Sequence, residues 1–182
     1  MGLILASISP RRCELLSQLR SNFKVLPSNV KELIDTSLEP KDLAMSLAEQ
    51  KAKTVYSKFG ENVLGADTIV VFKDIILGKP KNKAHAVEML KMLSGKQHSV
   101  ITGVCYISKG VIKKDFAETT VQFNELSDKL IESYVASGSP FDKAGSYGIQ
   151  DNFPLVESYK GSYTNIVGLP LELVSELIKE VN

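Results

Sequence analysis

The sequence has no long apolar run. No stretch approaches the roughly 20 residues needed to cross a bilayer. No basic segment leads into a long apolar one near residue 1, so no secretory signal is expected. Cysteine is scarce, with 2 in 182 residues. Cys13 and Cys105 lie far apart and outside any Cys-x-x-Cys or metal-ligand spacing, so each is expected to be a small buried hydrophobe in a reducing compartment. His85, early in a predicted helix, and His98, in a predicted strand, have no His or Cys nearby to complete a metal site. An excess of charge of one sign is also missing: the net charge is +1. That argues against a basic face for long nucleic acid, but not against a small phosphorylated ligand. A Walker A loop is absent, since Gly95-Lys96 is followed by Gln97 and Gly78-Lys79 by Pro80. No Ser/His/Asp arrangement is apparent, nor any repeat, low-complexity tract or linker.

What is present is an ordinary globular composition, 43% hydrophobic and 24% charged. It is long enough for a real core, with one domain expected over residues 1–182, in one body or two lobes. Strand and helix signals alternate. Strands are expected at Leu3–Ala6, Phe23–Leu26, Val63–Gly65, Thr68–Phe72, Ile75–Leu77, Ser99–Ile107 and Val111–Phe123. Strand-like segments follow at Leu155–Tyr159 and Tyr163–Val167. Helices are expected at Pro10–Arg20, Glu39–Phe59, from Asn82 to Leu93, from Ser127 through Ala136, and from Pro170 onward. Asn82 and Ser127 read as N-caps, and Gly95 as the residue that ends a helix. Lys73-Asp74 reads as a hairpin turn. Antiparallel central hairpins with flanking helices give an α/β class with a mixed sheet.

Five segments carry possible chemistry. In the first, Leu5 to Leu16, a short strand leads through Ser7 to Ser9 at an N-cap position, with Pro10 at the first helical position. Arg11 and Arg12 then fall in the first turn, where cations oppose the helix dipole. Either a phosphate seated on that end resolves the conflict, or the two are solvated arginines on a surface helix. In the second, the face of the long helix runs through Ala44, Leu47, Ala48, Val55 and Phe59, and Lys51 points into it. Such a lysine either snorkels to water or reaches an anion site, whereas Lys53 on the far side is solvated. In the third, Gly65-Ala66-Asp67-Thr68 breaks a strand pattern. Asp67 is either a turn residue or a carboxylate that binds a hard cation or activates water, with small neighbours leaving room for a ligand. The fourth, Gly78-Lys79-Pro80, presents a lysine on a loop. The fifth, Asp142-Lys143-Ala144-Gly145-Ser146-Tyr147-Gly148-Ile149-Gln150, is either a surface loop or a wrap around a polar ligand. Cations set against Glu32, Asp67 and Asp142 suit a triphosphate with a divalent metal.

In this order, Leu5-Ala6-Ser7 with Ser9-Pro10-Arg11-Arg12, Leu47-Ala48 with Lys51-Ala52, Gly65-Ala66-Asp67-Thr68, Gly78-Lys79-Pro80, Asp142-Lys143-Ala144-Gly145 with Tyr147-Gly148-Ile149-Gln150, and Gly168-Leu169-Pro170 resemble the Maf family over essentially the whole chain. The resemblance implies an elongated, two-lobed inosine-triphosphatase-like fold with a central cleft, a cytoplasmic homodimer, and cleavage of a nucleoside triphosphate to monophosphate and pyrophosphate. It also implies a Mg²⁺ or Mn²⁺ cofactor. Asp67 is then the general base or metal-organising carboxylate, with Glu32 as a second metal-binding carboxylate. Arg11, Arg12, Lys51 and Lys79 hold the triphosphate, Lys51 and Lys79 acting with Asp67 in catalysis. Ser7 donates to a phosphate oxygen, and Lys143 joins the substrate-binding set. Arg12, Thr68 and Gln150 match the branch that prefers dTTP and UTP, a house-cleaning activity. The alternatives are the branch acting on 7-methyl-GTP, and a non-catalytic nucleotide- or nucleic-acid-binding regulator of septum formation. Ser139 departs from the pattern, since the family usually has Glu there.

Overall fold

The structure, a computed structural model, describes residues 2–181. Its elements follow in the order β1 (Leu3–Leu5), α1 (Pro10–Leu19), β2 (Lys24–Val25), α2 (Pro40–Phe59), β3 (Asn62–Phe72), β4 (Ile75–Leu77), α3 (Lys83–Leu93), β5 (Gln97–Ser108), β6 (Val111–Phe123), α4 (Asp128–Ala136), β7 (Val156–Lys160), α5 (Tyr163–Val167) and α6 (Leu171–Val181). Two 3₁₀ turns, Ser139–Asp142 and Ala144–Ser146, follow α4. Among the described residues, seven strands form one sheet in the order β2-β1-β3-β5-β6-β7, with β4 paired to β3. The β1 pairs with β2 and β3 are parallel, whereas β3 with β4 and β6 with β7 are antiparallel. The sheet is therefore mixed, as expected.

Local chemistry explains most boundaries. Pro40 occupies the first turn of α2, where its missing N–H costs nothing. Gly60 ends that helix with φ +64, a conformation that favours glycine. The Asn82 side chain accepts from the His85 N–H at 2.9 Å, and the Ser127 hydroxyl accepts from the Leu130 N–H at 3.2 Å, so both expected caps form. Lys73 and Asp74 both have positive φ, as a two-residue hairpin turn requires.

Several expectations need correction. The strand does not break near Asp67: β3 runs unbroken from Asn62 to Phe72. Residues 163–167 form a helix rather than a strand. The Ser162 hydroxyl accepts from the Asn165 N–H at 3.3 Å, and the buried Asn165 amide donates to Val100 O at 3.0 Å and to Thr119 Oγ1 at 2.9 Å. These polar anchors override the β-propensity of Tyr, Thr, Ile and Val. Ser9 takes the N-cap position, but its side chain makes no capping bond. Phe59 is exposed and Cys13 is half-buried, so neither is the core residue expected. Cys105 is buried, and burial pushes its thiol up to about 12.

The chain divides into two compact units. The first comprises the chain through Thr68, Thr102–Ala117, and the chain from Gly168. Its core includes Ile4, Ala6, Val63, Cys105 and Ile107, alternate residues of β1, β3 and β5 (with Ala6 just past β1), packed on Ala48, Ala52 and Val55 of α2. The second comprises Ile69–Ile101 and Glu118–Val167. There α3 and α4 contribute Ala86, Leu90, Leu93, Ile131 and Tyr134 to a core with Val70, Val100, Val121 and Phe123.

His98 lies in that second core. Its ring meets Phe123 and Tyr147 edge-on at 4.9 and 5.3 Å, and its Nε2 shares a hydrogen bond with the Tyr147 hydroxyl at 2.8 Å. Burial pushes its pKa down to about 4, against roughly 6.5 in an unfolded chain. Between those values the unfolded chain takes a proton that the folded chain refuses. The His98 contribution to stability is therefore complete above pH 6.5 and declines as the pH falls toward 4. Between pH 7.5 and 5.0 the wild type should lose about 2 kcal/mol more than His98→Gln. Urea unfolding at both pH values checks this, and equal losses in the two proteins would remove His98 as the cause.

Candidate functional site

The start of α1 gathers polar groups in the first unit. The backbone leaves β1 with the Ala6 N–H donating to Leu64 O at 2.8 Å, which carries Ser7 to the head of α1. The buried Ser7 hydroxyl accepts from the Ser9 N–H at 3.2 Å and from Arg12 at 3.5 Å. The proton of that hydroxyl is then left to donate. Arg12 is fixed on three sides. Its Nε donates to Gly168 O at 2.8 Å, one terminal nitrogen to Thr68 Oγ1 at 3.1 Å, and the other to Ser7. Thr68 Oγ1 lies 2.9 Å from Thr102 Oγ1. Gly168 has φ +122, which favours glycine and presents its carbonyl to Arg12. Burial pulls the guanidinium below its ordinary pKa, and the charge of Asp67 opposes that pull. No acidic residue lies in the first turn, and Ser9 does not cap it, so the helix end keeps its positive field.

The second cluster joins α2 to β3. Lys51 Nζ pairs with both Asp67 Oδ1 and Glu32 Oε1, the latter at 3.0 Å. Its side chain is 14% exposed, as is that of Asp67. Lys51 therefore does not snorkel: it reaches a carboxylate on each side. Lys53, on the other face, is exposed and pairs with the half-buried Glu49 at 2.6 Å. The small residue before Asp67 has another purpose than the one expected. A Cβ at Gly65 would lie 2.4 Å from Ala48 O and 3.0 Å from the Ala52 N and Cβ. The room at Gly65 is thus filled by α2 itself. Since residues 65 and 67 share a strand face, the close helix brings Lys51 onto Asp67. Glu32 lies in the segment between β2 and α2. There Gln50 accepts from the Leu33 N–H at 2.9 Å and donates to Leu33 O at 3.0 Å.

In the second unit, Lys79 is exposed on the loop after β4. The Gly145 N–H donates to Gly78 O at 3.1 Å, which ties that loop to residues 142–151. Gln150 is half-buried, and its Oε1 is buried with no hydrogen-bond partner among the described residues. Lys143 Nζ donates to Ser139 O at 2.6 Å and to Asp142 Oδ1 at 2.9 Å, and pairs with Asp151 Oδ2 at 3.3 Å. Ser139, where the resemblance expects Glu, thus offers Lys143 only a main-chain carbonyl. The carboxylates come from Asp142 and Asp151.

The geometry therefore unites Ser7, Arg12 and Thr68 in one cluster and Glu32, Lys51 and Asp67 in another, with Arg11 beside Arg12 on α1. Sequence reasoning passed over Thr102, Gln50, Tyr134 and Asp151. Thr102 and Tyr134 lie within a strand and a helix, and Gln50 within α2, with no motif to mark them. Asp151 carried a visible signal, a charge directly after Gln150.

The sequence matches the family described as Maf-like protein over residues 2–181. The chain belongs to the Maf family. This Maf chain is 49% identical over 176 residues to a protein of Thermococcus onnurineus named dTTP/UTP pyrophosphatase, covering 96% of this chain and 95% of the relative. Relatives of the same name from Caldicellulosiruptor saccharolyticus and Bacillus anthracis are 44% and 47% identical, covering 98% and 99% of this chain and 94% and 95% of theirs. Among solved structures, the Staphylococcus aureus Ham1 protein is similar with a TM-score of 0.58 at 9% identity, each chain covered in full. A HAM1 protein from Coxiella burnetii gives 0.55 at 13% identity, with 99% of each chain covered. At such identities the likeness shows the fold alone, a mixed α/β fold shared with the Ham1 proteins.

The donor set in this Maf chain suits a hard cation. No group of three or more His, Cys, Asp or Glu gathers among the described residues. Glu32 and Asp67 instead face one cation, Lys51 Nζ, from two sides. Mg²⁺ is ordinarily held by one or two carboxylates together with substrate phosphates, and Glu32 with Asp67 supplies that number. On the sequence alone, Lys51→Met removes a costly inward charge and the melting temperature should hold or rise. The two ion pairs reverse that sign, because the change leaves two facing carboxylates uncompensated. Lys51→Met should destabilise the fold by about 1–3 kcal/mol, below the range for a fully buried pair. Added Mg²⁺ or Mn²⁺ should raise the melting temperature of this variant more than that of the wild type. Thermal melts with and without metal check both effects, and a variant indifferent to metal would count against Glu32 and Asp67 as its ligands.

Proposed function

We propose that this protein is a nucleoside triphosphate pyrophosphatase that hydrolyses dTTP and UTP to the monophosphate and pyrophosphate, in a house-cleaning role, as a cytoplasmic homodimer. The observation that carries the reading is near-full-length identity of 44–49% to proteins named dTTP/UTP pyrophosphatase. The geometry supports the chemistry. The α-phosphorus is shielded by anionic oxygens, which cations must balance before water can attack. Asp67 accepts the proton of the attacking water as the bond from the α-phosphorus to its bridging oxygen breaks. Lys51, between Asp67 and Glu32, keeps both carboxylates oriented and has one N–H left for a phosphate oxygen. Arg11, Arg12 and the open end of α1 balance the charge of the departing pyrophosphate, and Ser7 donates its remaining proton to a phosphate oxygen. Lys79 keeps the phosphate-binding role that the resemblance gives it. Glu32 and Asp67 would hold Mg²⁺ or Mn²⁺, which would supply further charge neutralisation for the phosphates.

Base preference rests on Gln150. Its buried Oε1 has no donor among the described residues, and an unmet buried acceptor favours a partner that brings an N–H. Uracil and thymine present one N–H between two carbonyls, which the two ends of an amide can meet. Arg12 and Thr68, hydrogen-bonded to each other, are the other two specificity positions.

Three outcomes are expected. Chromatography of the products from dTTP should give dTMP and pyrophosphate, whereas dTDP with orthophosphate would mean attack at the terminal phosphate. Asp67→Asn should lower kcat about 10²-fold or more with the fold retained, and near-full activity would reject Asp67 as the base. In a panel of triphosphates, dTTP and UTP should exceed ATP, GTP and 7-methyl-GTP in kcat/KM, with the margin narrowed by Gln150→Glu. If 7-methyl-GTP is the best substrate, the base assignment fails while the pyrophosphatase reading stands.

A further inference from the structure

The ammonium of Lys143 is surrounded by oxygens of the protein itself. It carries three N–H groups and faces three oxygens: Ser139 O, Asp142 Oδ1 and Asp151 Oδ2. Two of these belong to carboxylates, so an incoming phosphate would meet a cluster with a net negative charge. The Lys143 side chain is 10% exposed and that of Asp151 is 12% exposed, so water screens the pair only weakly.

Asp151 is itself committed twice. Its Oδ2 also accepts from the Tyr134 hydroxyl at 2.6 Å. That hydroxyl in turn accepts from the Gly148 N–H at 3.0 Å. Burial raises the Tyr134 pKa well above its ordinary value, and the bond to Asp151 raises it further, so the phenol stays protonated and donates. Gly148 crosses directly over the pair: a Cβ there would lie 2.7 Å from Lys143 Cε and 2.8 Å from Asp151 Oδ2. The Asp151 N–H donates to Gly148 O at 3.2 Å. The loop is thus closed between its first residues and its last by one ion pair, with α4 supplying the tyrosine that holds both Asp151 and Gly148. Gln150 is the residue next to the knot.

We propose that Lys143, Asp151 and Tyr134 form a clamp that sets the position of Gln150, and that Lys143 acts as a positioning residue rather than as a phosphate ligand. The proposal rests on Gln150 reading the base, and it assigns Asp151 and Tyr134 a part in base selection.

The two roles of Lys143 predict opposite signs for Asp151. If Lys143 holds phosphate, Asp151→Asn frees it, and binding of every triphosphate improves or holds. If the clamp sets Gln150, Asp151→Asn harms the enzyme in the same way as Lys143→Met, although the two substitutions change charge in opposite directions. Tyr134→Phe, which removes a single hydroxyl, is the mildest variant and guards against loss of the fold. The measurement is kcat/KM for dTTP and for ATP, with amide hydrogen exchange of residues 145–151 in the substrate-free protein. In all three variants the dTTP-to-ATP ratio should fall about tenfold, while ATP turnover by Asp151→Asn and Tyr134→Phe stays within about threefold of wild type. Exchange at Gly148 and Gln150 should quicken in all three. The proposal is overturned if Lys143→Met lowers dTTP, ATP and inorganic tripolyphosphate turnover equally while Asp151→Asn lowers none. It is also overturned if exchange of the loop is unchanged in every variant. A wild type with no preference for dTTP over ATP would refute the base reading of Gln150, and with it the selection role. The clamp would then stand or fall on hydrogen exchange alone.

Discussion

The distance between α2 and the sheet is the constraint on which the first unit depends. It is set by two glycines. A Cβ at Gly65 would lie 2.4 Å from Ala48 O, and one at Gly103 would lie 2.3 Å from the main chain at Ala44. Neither contact is tolerable, so any side chain at either position pushes the helix outward. With α2 seated this closely, Ala48, Ala52 and Val55 fill the gap with small volumes. The same helix then presents Lys51 at the depth of Asp67, two residues beyond Gly65 on the same strand face. The ion pair is a consequence of the packing, and Lys51 is long enough to reach Glu32 as well.

The two polar clusters of the first unit are built differently. Arg12 is held by neutral acceptors, namely a glycine carbonyl and two hydroxyls. Such partners fix its orientation without cancelling its charge, and a cation held that way retains its field for an anion. Lys51 is held by carboxylates, which outweigh its charge. The first arrangement favours phosphate directly, whereas the second favours phosphate only together with a further cation.

Much of this was legible in the sequence because the signals were local. Asn82 and Ser127 act through bonds within one helical turn, and the two-residue hairpin turn acts through two φ angles. Lys51 was legible as an inward lysine because helical spacing alone puts it on the face of Leu47 and Ala48. Its partners were not, because Asp67 lies 16 residues away and Glu32 sits in a segment with no periodicity. The purpose of Gly65 was misread for the same reason: a missing side chain looks alike whether a ligand or a helix fills the space. Residues 163–167 read as strand because the anchors that make them helical, Val100 and Thr119, are 65 and 46 residues distant from Asn165. Ser9 was read correctly as to position, but its side chain makes no capping bond.

The pairing of Gln50 with Leu33 has a consequence for timing. Between β2 and α2 the described chain runs through residues 26–39 without helix or strand. Glu32 is therefore held beside Lys51 by its own ion pair and by two amide bonds next to it, both open to water. Each such bond contributes only about 1 kcal/mol net, far less than the cooperative unfolding of the sheet that carries Asp67. The two carboxylates thus have different lifetimes in place: Asp67 stays as long as the protein is folded, whereas Glu32 comes and goes with a local opening that leaves the core intact.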